Sequence, residues 1–161
     1  MITPEYIAGF VDGEGYFGVV RKMDPPRIKK RRPNYNGYYY TPVLKISQVA
    51  KHKEVLTEIC KFIGYGIFWK SKKKYWEKRG QFNANPVISL EFRGMKRVIP
   101  IAKKLLPYLI VKRKQAELII KLEETQVEIT NANRKKVNKV RTKIYNQLKI
   151  LNQRGLATTK R

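Results

Sequence analysis

Residues 7–15 read Ile7-Ala8-Gly9-Phe10-Val11-Asp12-Gly13-Glu14-Gly15. The stretch is small and apolar, dense in glycine, and carries two acids near its end. Just upstream, Thr3 precedes Pro4, which has the form of a helix start: a hydroxyl N-cap followed by proline at the first helical position. A helix from Pro4 then runs to Asp12 or Gly13, and Asp12 and Glu14 fall at or just past its C-terminus. Carboxylates are disfavoured at that end, where unpaired carbonyls and the macrodipole are negative. Two acids gathered at a negative pole predict a cation that joins them. Read locally, the same residues fit equally well a helix stop and a turn into a strand at 16–21. The Gly9-x-x-x-Gly13 spacing predicts a groove that lets another helix approach closely, a pattern best documented in membranes.

The chain has 161 residues, enough for one compact domain and too few for two ordinary ones. Its hydrophobic content of 42% is that of a globular protein, but 36 basic against 12 acidic residues leave a net charge of +24. Such a surplus repels itself in a compact state, and polyanion binding is its usual purpose. A membrane-surface role fits less well, because the basic residues do not sit on one amphipathic helix. Their distribution is informative: residues 1–20 contain no Lys or Arg but hold Glu5, Asp12 and Glu14. An acidic island in a basic chain suits a cation site within a phosphate-binding surface. Cys60 is the only cysteine, so neither a disulfide within the chain nor a cysteine zinc site is expected. No apolar run is long enough to span a bilayer, and no signal-peptide pattern opens the sequence. A soluble intracellular protein is expected, cytoplasmic in a prokaryote, organellar or nuclear in a eukaryote.

Periodicity predicts strands at 16–22, 43–48, 65–71 and 86–93 and helices at about 51–63, 98–106, from 112 onward, and after 131. Pro100 is expected in the first turn of the second of these helices. The resulting order, α-β-β-α-β-β-α-α, gives an α+β fold: one antiparallel sheet with helices behind it. Strand alternation places Phe17, Val19, Leu44, Ile46, Ile88, Leu90 and Phe92 inward. Lys22, Lys45, Ser89, Glu91 and Arg93 fall on the other face, which suits a polymer contact. Basic residues beside aromatics extend that surface: Arg27, Lys29, Lys30, Arg31 and Arg32 with Tyr38 and Tyr40, and Trp69 with Ser71 and Lys73. No acid follows Glu128, and ten basic residues lie between Arg134 and Arg161. Residues 1–130 form the expected core domain, and 131–161 a basic C-terminal helix and tail.

The nine residues 7–15 closely resemble the LAGLIDADG motif of homing endonucleases. Ile7 stands at its first position, Ala8 and Gly9 follow, Phe10 and Val11 take the Leu-Ile places, and Asp12, Gly13, Glu14 and Gly15 complete it. Glu14 replaces an aspartate, which the family accepts because either carboxylate binds a hard cation. The similarity extends to about residue 130. It implies an αββαββα core whose sheet forms a concave saddle on double-stranded DNA. It implies a site-specific, metal-dependent endonuclease making a staggered double-strand break. Glu14, with Gly13, would hold Mg²⁺ or another divalent cation such as Mn²⁺.

Gln48, at the end of the Ile-Ser-Gln strand, takes the water-positioning place in that resemblance. Lys112 takes the active-site lysine place, with Arg113 and Lys114 as competitors. His52 and Asp12 are secondary candidates, Asp12 also as a structural cap. One motif without a second copy implies a homodimer joined through Ala8, Gly9, Asp12 and Gly13 on a nearly palindromic site. The alternative on the same scaffold is a maturase that binds its own intron RNA, or a nucleic-acid binder that does not cut.

Overall fold

The structure, a computed structural model, describes residues 2–23, 38–71, 85–127, 130 and 132–153. Arg27, Lys29, Lys30, Arg31, Arg32 and Lys73 lie outside the described residues.

Helix α1 spans Pro4–Glu14 and starts as its sequence dictates: the Thr3 hydroxyl accepts the Tyr6 N–H at 3.3 Å, with Pro4 at the first helical position. Ile7, Ala8 and Val11 are fully buried on one face of α1. The chain then passes into β1 (Gly15–Met23) without a loop. Only glycine fits this junction, because a Cβ on Gly15 would stand 2.5 Å from the Val11 carbonyl oxygen.

Strand β2 spans Tyr38–Val49 and β4 spans Val87–Arg93, with the short β3 (Ile67–Lys70) at one edge. All neighbouring pairs are antiparallel, in the order β1-β2-β4-β3. A 3-10 turn, Ala50–His52, leads into helix α2 (Lys53–Ile63), which ends at Gly64 with φ 89°, the left-handed cap expected there. Helix α3 spans Met95–Leu105, three residues earlier than its expected start at 98. Pro100 therefore lies inside the helix rather than in its first turn; its ring is exposed, so the missing N–H falls on the solvent side. Helix α4 (Arg113–Lys121) is followed by a 3-10 turn, Leu122–Thr125. Helix α5 spans Arg134–Leu151.

One hydrophobic core joins these elements. Phe17, Leu44, Ile46, Leu90 and Phe92 from the sheet meet Ile7 and Val11 of α1, Leu56 and Ile59 of α2, and Ile119 of α4. Ile144 and Leu148 of α5 belong to the same cluster, so the C-terminal helix is packed into the core. Its last turn is tied to β1, where the Asn152 amide donates to the Phe17 carbonyl at 2.7 Å. Among the described residues, no helix is long and apolar enough to cross a membrane.

Candidate active site

The end of α1 is where chain topology gathers chemistry. Asp12 lies in the last turn of α1, and its carboxylate accepts three consecutive backbone N–H groups from the segment that leads into α4. Ile110 and Val111 donate to Oδ2 at 2.7 and 3.1 Å, and Lys112 donates to Oδ1 at 2.8 Å. The Lys112 ammonium in turn donates to the Asp12 carbonyl oxygen. The cation expected at the negative pole is thus, for Asp12, a lysine and a row of amide dipoles. This satisfies the Asp12 carbonyl and the three N–H groups that lead into α4 together.

Of the three basic residues 112–114, Lys112 is the one whose ammonium reaches α1. Arg113 points elsewhere, to Glu117 at 3.5 Å, and Lys114 is exposed. Lys112 itself is 9% exposed. The clamp gives a testable stability effect. Asp12→Ala removes the acceptor of three N–H groups and the negative charge beside the Lys112 ammonium, while the backbone carbonyl that the ammonium meets remains. Because Ile110 and Val111 are 86% and 69% exposed, water replaces part of the loss. The expected cost is about 2 kcal/mol, a fall in Tm of about 4–8 °C by thermal melting. A Tm within about 1 °C of wild type would show that the clamp contributes nothing.

Glu14 is the last residue of α1 and is exposed. Register fixes its level. Gly15 pairs with Ile46, so Glu14 falls beside the row that begins Trp69–Ser89–Ser47 on the open face of the sheet. Gln48 lies one step further along β2, at the same end; its Oε1 accepts the Val49 N–H at 2.8 Å. His52 ends the following 3-10 turn and is exposed. Glu14, Gln48 and Lys112 therefore converge on one end of the sheet, with His52 one turn beyond Gln48. Among the described residues there is no cluster of three or more His, Cys, Asp or Glu side chains that could hold a metal. Asp12 is already saturated by the loop. What remains in one chain is a single exposed carboxylate beside helix-terminal carbonyls. This all-oxygen set fits a hard divalent cation that takes most of its ligands from elsewhere.

The open face of the sheet carries the other expected contacts in rows. The first row is Trp69–Ser89–Ser47, the second Ile67–Glu91–Lys45–Tyr16, the third Arg93–Val43–Gly18, and the outermost Tyr39–Lys22. Trp69, Lys45 and Lys22 are exposed. Ser89 is buried and shares a hydrogen bond of 2.9 Å with Ser47 across the strands. The Ser71 hydroxyl accepts the Val87 N–H at 2.9 Å and closes the β3–β4 edge. Glu91 is also buried, in the central strand, and pairs with the Arg93 guanidinium, which it holds firmly charged by raising its pKa.

Two expected placements are corrected. Tyr40 faces the core, not the open side: it is 5% exposed, and its hydroxyl meets that of Thr142 on α5 at 2.7 Å. Tyr38 has the same parity, and Arg21 stacks on its ring at 4.6 Å and on Tyr145 of α5 at 5.0 Å. The open-face tyrosine in this stretch is Tyr39, opposite Lys22. Strand alternation shows this once β2 is known to begin at Tyr38. Second, Ala8 is fully buried in its own chain, so it is not available to a partner helix. Asp12 is likewise engaged within the chain. The outward face of α1 is Tyr6, Gly9, Phe10 and Gly13, at helical spacing, with Tyr6 and Phe10 stacked at 6.3 Å. Nothing lies within 4 Å of where a Cβ on Gly9 or Gly13 would be.

Solved structures share this fold. The homing endonuclease I-CvuI, crystallised with the I-CreI target and magnesium with the DNA not cleaved, is 22% identical, with a TM-score of 0.71 over 97% of this chain and 85% of that one. The archaeal intron-encoded homing endonuclease I-Vdi141I, complexed with DNA, is 22% identical, with a TM-score of 0.68 over 94% of this chain and 85% of that one. The meganuclease I-SmaMI, bound to uncleaveable DNA, is 17% identical; its TM-score is 0.63, over 95% of this chain but only 45% of that longer one. No match was found among curated proteins. Residues 7–108 match the sequence profile of the LAGLIDADG endonucleases, from the first residue of the motif to Tyr108, four residues before Lys112. With the motif, the αββαββα sheet and the profile in agreement over most of its length, the chain belongs to the LAGLIDADG endonuclease family.

Proposed function

We propose that this chain is a site-specific homing endonuclease which, as a homodimer, makes a metal-dependent staggered double-strand break in a nearly palindromic DNA site. The observation that carries this reading is the joint placement of Glu14 and Lys112. The Asp12 clamp brings a lysine to the same helix end as an exposed carboxylate, at one end of the open sheet face. A carboxylate that can take a cation and an ammonium at one helix end are the two charges that phosphodiester hydrolysis uses.

Water must add to phosphorus while one ester P–O bond breaks, and negative charge grows on the phosphoryl and leaving oxygens. Glu14, with the Gly13 carbonyl, would hold the divalent cation. When bound, that cation supplies charge neutralisation at the phosphate and a more acidic water. Gln48 is an uncharged amide suited to orienting water by hydrogen bonds. The Lys112 ammonium offsets developing charge, at a distance set by the Asp12 clamp. Binding itself rests on the basic sheet face, through phosphate contacts whose affinity falls with salt. The test is incubation with DNA spanning the uninterrupted host insertion locus, with and without Mg²⁺. Two cuts with a constant stagger, seen only with the cation, are expected; no cleavage in either condition overturns the proposal.

Arg93 supplies a finer prediction on the same face. Glu91 engages its Nε and leaves the outer guanidinium edge exposed, and the facing Val43 and Gly18 add little bulk to the row. A guanidinium fork fixed in this way matches the paired acceptors of guanine in the major groove. Arg93→Ala should lower discrimination at one base pair per half-site by about 1–3 kcal/mol, read by cleavage of a singly substituted target library. Uniform weakening across all positions would make Arg93 a phosphate contact instead.

A further inference from the structure

Helix α5 has seven Lys and Arg residues in Arg134–Leu151 and no acid. Its buried stripe is Val137, Ile144 and Leu148, turned to the core. Lys136, Lys139 and Lys143 are exposed and lie on the opposite side at i, i+3 and i+7, so they form one ridge. On each of the other basic helices at least one cation is paired. Lys61 of α2 meets Glu58 at 2.8 Å, Lys103 of α3 meets Glu123, and Arg113 of α4 meets Glu117. None of the three ridge lysines forms an ion pair or hydrogen bond with the described residues. Like charges at these spacings repel along a helix. Packing alone gives no reason for the ridge, because all three side chains leave the core.

The position of the ridge separates it from the sheet's open face. Helix α5 packs on the opposite, core-facing side of the sheet, through Thr142 on Tyr40 and Tyr145 on Arg21. A duplex lying on the open face does not meet lysines that point away from both sheet and core. From the first lysine to the last the ridge spans about 10 Å at 1.5 Å per residue. That is close to the axial rise of three base-pair steps of a duplex, about 3.4 Å each.

We infer that the outward face of α5 is a second phosphate-backbone site that takes a segment of duplex DNA other than the one on the sheet. Two such surfaces on one molecule let it hold its target while it touches neighbouring DNA. The site goes beyond the cleavage reading and does not depend on it. The three lysines act here as point charges on phosphates and carry no sequence preference.

The test uses the full chain and a triple variant, Lys136→Gln, Lys139→Gln and Lys143→Gln, which keeps helix formers at exposed positions. Wild-type protein is first saturated with target duplex, and capture of a labelled duplex of unrelated sequence is then titrated against salt. Wild type should capture it. The variant should lose about tenfold or more in capture at low salt, with the salt slope flatter by about 2–3. Affinity for the target and its cleavage should stay within about twofold of wild type. Target cleavage is read in the same tubes, so failure there counts against the endonuclease reading and not against the ridge. If no target binds, the titration is run on free protein carrying Lys22→Gln and Lys45→Gln, with and without the ridge changes. No capture by wild type, equal capture by the variant, or preferential capture of a structured RNA competitor would overturn the duplex site.

Discussion

Glu14→Gln should abolish cleavage while leaving DNA binding intact. The substitution keeps the size and shape of the side chain and removes its charge, so a hard cation loses the one free carboxylate at the α1 terminus. Loss of a preorganised charge at a reacting phosphate costs at least about 10²–10³-fold in rate. Binding should move the other way. Glu14 faces solvent at the edge of a chain of net charge +24, and there an acid repels phosphate whenever no cation covers it. Affinity measured without divalent ions should therefore hold or rise slightly. Stability should also hold or rise, since a carboxylate at a helix C-terminus opposes the macrodipole. A single-turnover assay, a binding titration and a thermal melt on the same preparation separate the three effects. A variant that cuts at the wild-type rate removes Glu14 from the active site, and one that neither melts cooperatively nor binds reports misfolding.

Glu14 thus weakens the fold locally where the proposed chemistry needs it, and such conflicts are legible in a sequence. Acids at the wrong end of a helix, in a stretch of 20 residues with no Lys or Arg, could be seen without coordinates. The Thr3 cap, the Gly64 stop and the inward strand residues were legible for the same reason: each follows from local chemistry or a period of two. The fate of Asp12 was not. Its partners are residues 110–112, about a hundred positions away, and no local rule pairs a carboxylate with three amides across that distance. Tyr40 shows a different limit. Alternation assigns faces correctly only once the strand's extent is known, and β2 begins at Tyr38, five residues before the expected start at 43. Read over its full length, the strand's alternation puts Tyr39 on the open face and Tyr38 and Tyr40 on the other, with Tyr40 against α5. Ala8 failed for a third reason. A small residue suits a tight helix pair and a tight core equally, and only the position of the core decides between them.

Gly9→Leu should break the dimer and with it double-strand cutting. The outward face of α1 offers two glycines flanked by the Tyr6–Phe10 stack, and a Cβ at either glycine meets nothing within the chain. One protomer supplies one Glu14, one Gln48 and one Lys112, whereas a double-strand break needs two phosphates attacked. In a two-fold dimer built on this face, the Gly9 of one helix meets the equivalent surface of the other, so one substitution acts twice. Overpacking costs about 1–3 kcal/mol per site, hence about 2–6 kcal/mol per dimer and a loss of affinity between chains of about thirtyfold or more. The protomer's own fold should be unaffected, because the leucine enters open space and replaces glycine within a helix, which raises helix propensity. Sedimentation on target DNA then separates the outcomes. Wild type should run as two chains per site and cut both strands. The variant should run as one chain, with at most nicking and an unchanged or higher Tm. A wild-type complex of one chain that still cuts both strands would sink the dimer.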